Sequence, residues 1–215
     1  MRRSDLAALI HGPAELLPVS SSAHAELLGD RESATGAHLG SALALLLVAR
    51  PSPRRFGLHL AAGAIPSAVG WRLRGRTWSP VPGLFLGSVA LVLADRRSGS
   101  RSLADARWRD GLWLGLAQAC ALVPGVSRNG ATLVAARLLG FSLREGNELS
   151  REVGIPVTLG AVAVGGRVSP RSLAISFLAT LVSLPLLRLV DRGPLWPFAL
   201  YRCGLALALV RGSGR

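Results

Sequence analysis

The stretch PVSSSAH at residues 18–24 breaks an apolar region near the start of the chain, and PGVSRNGAT at residues 124–132 breaks another in the second half. VSSSA in the first segment aligns with VSRNG in the second at an offset of 107 residues, Val126 standing against Val19. Paired, proline-broken polar segments are typical of a membrane protein with an internal repeat, and chance similarity is the alternative. Irregular backbone at membrane depth must be buried in protein or line a watery cavity. Both segments are therefore predicted to border one polar pocket.

Seven apolar runs predict most of the helices. The 215 residues are 50% hydrophobic and only 17% charged, which favours a membrane protein. The runs lie at residues 36–49, 56–70, 81–94, 111–123, 153–165, 172–190 and 196–210. A single spanning helix needs roughly 20 residues, and only the run at 172–190 is comfortably long enough alone. The others are short and rich in Gly, Ala and Ser, which predicts closely packed or partly re-entrant helices.

The positively charged residues lie mainly in the predicted loops and do not form a continuous basic stripe that could bind nucleic acid. All 25 basic residues are arginines, they give a net charge of +13, and most lie between the apolar runs, as in residues 96–109. No aromatic cluster accompanies them, which argues against nucleic acid as a partner. Arginines beside helix ends suit contact with anionic membrane lipids. Because almost every loop is basic, the charges do not fix the orientation.

Arg128 is the strongest candidate for binding an anion. It lies in the second polar segment among Ser127, Asn129 and Gly130. A guanidinium in such surroundings needs an anionic ligand, and its planar fork matches phosphate oxygens. Glycines let backbone N–H groups approach, and the start of a following helix adds a favourable dipole. Arg128 is predicted to bind phosphate, or alternatively to pair with a carboxylate such as that of Glu15.

The first segment offers hydroxyl groups and an imidazole. Ser20, Ser21 and Ser22 stand at a predicted helix start, where serine is also a good N-cap. Ser127 occupies the matching place in the other half, which favours phosphate binding over capping alone. His24 follows Ser21 by three residues, so both are predicted to face the same pocket. His24 is a candidate acid, base or nucleophile on phosphorus, and a structural histidine is the alternative.

Glu15 is a carboxylate in an otherwise apolar stretch and needs a partner there. A divalent cation bound by this carboxylate and by phosphate oxygens is one interpretation. An ion pair with Arg128 is the other, and the sequence does not separate them. His38 and His59 lie in ordinary apolar runs and are expected to be structural.

The motifs resemble those of a known family. AELLPVSSSAH is similar to the first motif of the bacterial undecaprenyl diphosphate phosphatases of the bacitracin-resistance type, and PGVSRNGAT is similar to the second. HLGS at residues 38–41, NELS and GIP within residues 147–156, and PFALYR at residues 197–202 follow in family order. The resemblance therefore runs from end to end.

The resemblance implies an all-α, polytopic integral membrane protein with inverted repeats and two re-entrant segments. Residues 1–215 would form one domain, with repeats at roughly 1–95 and 110–215 joined by a basic loop. The protein would lie in the plasma membrane with its site open to the outer face. It would hydrolyse undecaprenyl diphosphate to undecaprenyl phosphate and inorganic phosphate, which recycles the carrier for peptidoglycan. A divalent cation, Mg²⁺ or Ca²⁺, would assist, and a homodimer is one option for its assembly.

The resemblance also assigns roles to residues. Glu15, Ser21 and His24 match functional positions of the first motif, and Arg128 matches one of the second. The catalytic set is therefore Glu15, Ser21, His24 and Arg128. The predicted phosphate-binding residues are Ser20, Ser22, Ser127, Arg128, Asn129, Gly130 and Thr132.

Two positions depart from the family pattern. His11 stands where the family usually has Glu or Gln, four residues before Glu15, and Asn129 stands where it usually has Ser. An imidazole can bind a metal but cannot supply a second carboxylate, so a metal site is assigned to Glu15 with His11 as its second ligand. Pro13 lies between them, which leaves open whether they share a helix face.

The sequence leaves the nucleophile and two rival functions open. Ser21 or His24 attacks the terminal phosphorus, or His24 activates water to do so. A polyprenyl-phosphate transporter or flippase is one rival, because carriers also place their site between repeats. An inactive relative is the other, and His11 favours it. A carrier does not need His24 for hydrolysis, so release of phosphate separates these functions.

Overall fold

The computed structural model describes residues 2–29, 34–49, 52–73, 78–163 and 165–213. Within these residues the chain forms ten α-helices and no β-strand, which confirms the all-α prediction. The helices are α1 (Arg3–Leu16), α2 (Ser21–Leu28), α3 (Ala34–Ala49), α4 (Phe56–Leu73), α5 (Val81–Asp95), α6 (Trp108–Cys120), α7 (Arg128–Leu138), α8 (Leu143–Ala163), α9 (Pro170–Val190) and α10 (Trp196–Ser213).

Each predicted apolar run lies largely inside one helix, from α3 to α6 and from α8 to α10. Three helices lie outside these runs: α1 precedes the first polar segment, α2 begins within it, and α7 begins within the second. The helix α8 begins ten residues before its apolar run, at Leu143. Among the described residues, none of the helices has both the length and the hydropathy that crossing a membrane requires.

The two polar segments share an unusual backbone bend. Ser20 has φ 74° and Ser127 has φ 66°, and they are the only residues besides glycine with positive φ in the described chain. Side-chain-bearing residues rarely adopt this conformation, which persists only where the surrounding structure holds it. Each bend is followed at once by a helix, α2 at Ser21 and α7 at Arg128. This match supports the internal repeat, whose bounds stay a prediction.

Small residues bring the helices close together. The helix α1 packs against α9, and α4 packs against α6. At Gly12 of α1, an added Cβ would lie 2.8 Å from the carbonyl oxygen of Ser176 on α9. At Gly115 of α6, it would lie 3.0 Å from the carbonyl oxygen of Ala61 on α4. A larger residue at either position would separate the helices, so the predicted tight packing is confirmed.

One buried arginine forms hydrogen bonds with both polar loops, which are residues 17–20 between α1 and α2 and residues 121–127 between α6 and α7. Arg202, on α10, is 0% exposed. Its guanidinium donates hydrogen bonds of 2.9–3.4 Å to the carbonyl oxygens of Pro18, Gly83, Leu84, Gly125 and Val126. Gly87 leaves room for it, because a Cβ there would collide with Nη2. Arg202 thus joins the first loop, the start of α5 and the second loop.

Replacing Arg202 by methionine is expected to lower the free energy of unfolding by at least about 3 kcal/mol. The loop carbonyls of Pro18, Gly125 and Val126 would lose this donor, and each such loss costs roughly 1–3 kcal/mol. Thermal or denaturant unfolding of the purified protein measures the change. Arg211→Met, at the exposed end of the same helix, is the matched control. Equal stability of R202M and R211M would contradict the role given to Arg202.

Candidate active site

A cavity of about 410 Å³ lies between the two polar loops. Its wall includes the predicted residues His11, Glu15, Ser20, Ser21, Ser22, Ser127, Arg128 and Asn129. Residues of α3 and α8, among them His38 and Thr158, complete it. The two polar segments therefore border one pocket, as the sequence predicts.

Glu15 is the centre of the polar contacts in this cavity. Its carboxylate is buried, with 7% exposure. One oxygen, Oε2, accepts a hydrogen bond of 2.9 Å from Nη2 of Arg128. The other, Oε1, accepts a hydrogen bond of 2.6 Å from the hydroxyl of Ser21. The ion pair that the sequence offered as an alternative for Arg128 is thus present, and it joins the end of α1 to the start of α7.

Arg128 does not use all of its donors in this ion pair. Its Nη1 atom is buried and has no hydrogen-bond partner among the described residues. Gly154 of α8 leaves space for that end of the guanidinium, since a Cβ there would collide with Nη1. A buried donor without a partner is costly, and a further anionic ligand is the natural way to satisfy it.

Two histidines lie next to Glu15. Nε2 of His11 is 3.7 Å and Nδ1 of His38 is 3.6 Å from Oε1 of Glu15. The two ring nitrogens are 3.2 Å apart. The helix α1 continues through Pro13, so His11 and Glu15 lie one turn apart on the same face. His38 was expected to be structural, but it belongs to this cluster, and the HLGS motif is the sequence feature that marks it.

His24 corrects a prediction made from helical spacing. The helix α2 begins at the serines as predicted, but His24 lies outside the polar cavity that Ser21 lines. Its Nδ1 is 2.7 Å from the carbonyl oxygen of Ser20, and its Nε2 is 2.6 Å from the hydroxyl of Tyr201. The imidazole therefore supports the bend at Ser20. Tyr201, which the sequence analysis did not select, belongs to the PFALYR motif.

His24 and Tyr201 border a separate apolar groove of about 900 Å³. Besides Leu17, the groove is lined by residues of α1, α9 and α10, among them Leu9, Ile10, Ile175, Leu178, Val182 and Phe198. Ala14 of α1 lines both the groove and the polar cavity. The polar cavity and the apolar groove are therefore neighbours on the two sides of α1.

Three predicted phosphate-binding residues form hydrogen bonds with other groups of the protein in this structure. Asn129 lines the cavity, but its amide nitrogen donates to the Leu16 carbonyl at 2.7 Å, and its amide oxygen accepts from Ser150 at 2.5 Å. The hydroxyl of Thr132 donates to the Arg128 carbonyl at 2.9 Å. The amide of Gly130 donates to the Ser127 hydroxyl at 3.2 Å.

Gly130 and Thr132 are not on the cavity wall, which corrects the prediction that they contact phosphate. Thr132 is fully buried, with its hydroxyl also bonded to that of Ser150. An added Cβ at Gly130 would lie 3.4 Å from the Cβ of Pro18, so this glycine allows the two loops to approach. Both residues hold the second loop in place from behind the cavity.

Comparison with known proteins connects this geometry to a family. Residues 50–208 match the family described as "Bacitracin resistance protein BacA". Undecaprenyl-diphosphatase 1 of Paraburkholderia xenovorans is 31% identical over 94% of this chain and 91% of its own. The undecaprenyl-diphosphatase of Geobacter metallireducens is 32% identical over 95% and 93%, and that of Acidothermus cellulolyticus is 33% identical over 94% and 92%. The chain belongs to the BacA family of bacitracin resistance proteins.

Proposed function

We propose that this chain hydrolyses undecaprenyl diphosphate to undecaprenyl phosphate and inorganic phosphate, which returns the lipid carrier to cell-wall synthesis. One observation carries the proposal: a half-buried arginine, serine hydroxyls and the first residues of two helices meet in one cavity beside an apolar groove. A polyprenyl diphosphate matches both parts, since its diphosphate is anionic and suits the cavity and its long tail is apolar and suits the groove. The relatives named undecaprenyl-diphosphatase support the same reaction.

The cavity suits the diphosphate through charge and through backbone donors. Arg128 supplies a guanidinium that is only partly used by Glu15. The helices α2 and α7 begin at the cavity, at Ser21 and Arg128, and the N-terminus of a helix favours negative charge. The hydroxyls of Ser20, Ser22 and Ser127 add donors on the same wall.

Ser21 is the proposed nucleophile. Its hydroxyl lines the cavity and already donates to Glu15, which can accept the proton as Oγ forms a bond with the terminal phosphorus. The bond from that phosphorus to the bridging oxygen breaks, and undecaprenyl phosphate leaves with the electron pair. Water then hydrolyses the phosphoserine, which releases inorganic phosphate and restores the hydroxyl. His24 positions the Ser20 bend from the side of the groove.

A divalent cation at Glu15 is part of the proposal. The donor atoms of His11, Glu15 and His38 lie within 4.8 Å of one another and fit such an ion. When bound, it would neutralise part of the charge on the diphosphate.

The groove is the proposed site of the polyprenyl tail, in a protein that lies in the plasma membrane with its cavity open to the outer face. Large apolar side chains on the outside of the bundle support this location. Phe56 is 68% exposed, Leu86 is 70% exposed and Val182, at the groove, is 73% exposed. Apolar surface of this kind suits lipid better than water.

Arg128→Ala is expected to lower phosphate release from undecaprenyl diphosphate by roughly 10²–10³-fold, because a charged donor to the phosphates is lost. Arg128→Lys keeps the positive charge beside Glu15 but not the planar fork, so it should fold normally and recover only part of the rate. Arg171→Ala is the control, since Arg171 pairs with Asp5 outside the cavity. Normal phosphate release by R128A would refute the assigned site.

Labelling the terminal phosphate tests the nucleophile. After rapid quenching in acid, the label should stay on the wild-type protein at Ser21, because phosphoserine survives acid and phosphohistidine does not. Ser21→Ala should abolish the label, whereas His24→Ala should lower it without making it acid-labile. An acid-labile label would instead assign the attack to His24. No trapped label under any condition would favour attack by water.

Ala179→Phe is expected to narrow the groove and to discriminate between substrates by tail length. Ala179 lines the groove and not the cavity. The KM for undecaprenyl diphosphate should rise by about tenfold or more, since a phenyl ring would displace several methylenes at roughly 0.8 kcal/mol each. The KM for the much shorter farnesyl diphosphate should change little. An equal effect on both substrates would place the tail elsewhere.

A further inference from the structure

His11, Glu15 and His38 form a triangle of metal-ligating atoms. Its sides are 3.7 Å from His11 Nε2 to Glu15 Oε1, 3.6 Å from His38 Nδ1 to Glu15 Oε1 and 3.2 Å between the two ring nitrogens. The imidazole rings meet edge to face, with centroids 4.4 Å apart. All three side chains line the polar cavity, so an ion among them would be open to a ligand from that cavity.

The dimensions of the triangle fit a small tetrahedral ion. Zn²⁺ binds imidazole nitrogen and carboxylate oxygen at about 2.1 Å, so two of its ligand atoms lie roughly 3.4 Å apart. Each side of the triangle is within a few tenths of an ångström of that separation. Two histidines with one glutamate, and a fourth position left open, are a known arrangement for catalytic zinc.

The chemistry of the donors discriminates between metals. Mg²⁺ and Ca²⁺ prefer oxygen ligands, whereas imidazole suits Zn²⁺ and its neighbours in the first transition row. Here two of the three donors are the ring nitrogens of His11 and His38, and only Glu15 supplies an oxygen. We propose that this cavity binds Zn²⁺, or an ion of similar preference, in place of Mg²⁺ or Ca²⁺.

The existing contacts of Glu15 leave room for this ion. Oε2 faces Arg128, and the contacts of Oε1 in the structure are the Ser21 hydroxyl and the two imidazoles. A carboxylate oxygen has two lone-pair directions, so Oε1 can accept from Ser21 and ligate the metal together. Only the position of the ion beside the phosphates of the substrate rests on the proposed function. Binding of the ion does not require turnover.

The test is metal binding by the purified full-length protein after removal of metals with a chelator. Calorimetric titration should show one equivalent of Zn²⁺ bound with at least about tenfold higher affinity than Mg²⁺ or Ca²⁺. Co²⁺ should bind at the same site and give the intense visible absorption of tetrahedral cobalt. This readout does not depend on activity.

Substitutions at His38 and His11 test whether these residues are ligands of the ion. His38→Ala and the better-matched His38→Gln should each weaken Zn²⁺ binding by more than about tenfold and remove the cobalt absorption. His59→Ala is the control, because His59 also lies beside a carboxylate, 3.4 Å from Glu152, but outside the cavity. His11→Glu should reverse the preference by strengthening Mg²⁺ binding and weakening Zn²⁺ binding.

The outcomes separate this inference from the proposed function. Zn²⁺ binding that is preferred and is lost in H38Q upholds the inference even without phosphate release, in which case only the proposed function fails. Mg²⁺ binding as tight as that of Zn²⁺ overturns the inference, even if phosphate is released. Zn²⁺ binding that is unchanged in H38Q also overturns it.

Discussion

The hydrogen bonds of Arg202 are the constraint on which the site depends. Two stretches of irregular backbone enter the bundle, and their carbonyl oxygens need donors there because a buried carbonyl without one is costly. A guanidinium has five N–H donors on one rigid plane, so a single side chain can serve the first loop, the start of α5 and the second loop together. Pro18 and Gly125 bond to the same guanidinium, and the bends at Ser20 and Ser127, two residues farther along each loop, border the same cavity. The cavity is the space that these two bends enclose.

Within the cavity, the carboxylate of Glu15 contacts Arg128, Ser21 and two histidines. The sequence posed metal binding and an ion pair with Arg128 as competing interpretations of this carboxylate. In the folded chain the two oxygens separate these interactions, since Oε2 faces Arg128 and Oε1 faces Ser21 and the histidines. The interpretations were posed as alternatives only because a sequence does not show that a carboxylate presents different oxygens to different neighbours. Arg128 can therefore meet both the carboxylate and an incoming phosphate with different parts of its guanidinium.

Much of this arrangement was predictable from residue types, and the failures have a common physical cause. The two loops, their shared cavity and the contact of Glu15 with Arg128 follow from polar residues that an apolar environment cannot tolerate alone. The sequence pattern places His24 in the polar cavity with Ser21 because residues three apart on a helix differ by only about 60° and usually share a face. The short helix α2 contributes to both the polar cavity and the apolar groove, so this small angle puts Ser21 and His24 on different sides. His38 was missed because its neighbours along the chain are apolar, and only the packing of α1 against α3 brings it to Glu15.

His11 illustrates how a departure from a family pattern is to be interpreted in three dimensions. Taken alone, a histidine in place of the usual Glu or Gln weakens the case for a hard cation and favours an inactive relative. Beside His38 it completes a pair of imidazoles that face one carboxylate oxygen. On the proposal that the cavity binds Zn²⁺, the change at position 11 alters the kind of metal that the site prefers, because ligand type helps to determine which ion binds. The departure at position 11 is thus compatible with a working cavity. If the cavity binds Zn²⁺ as proposed, this protein would differ from relatives with a carboxylate at that position in the metal that it binds.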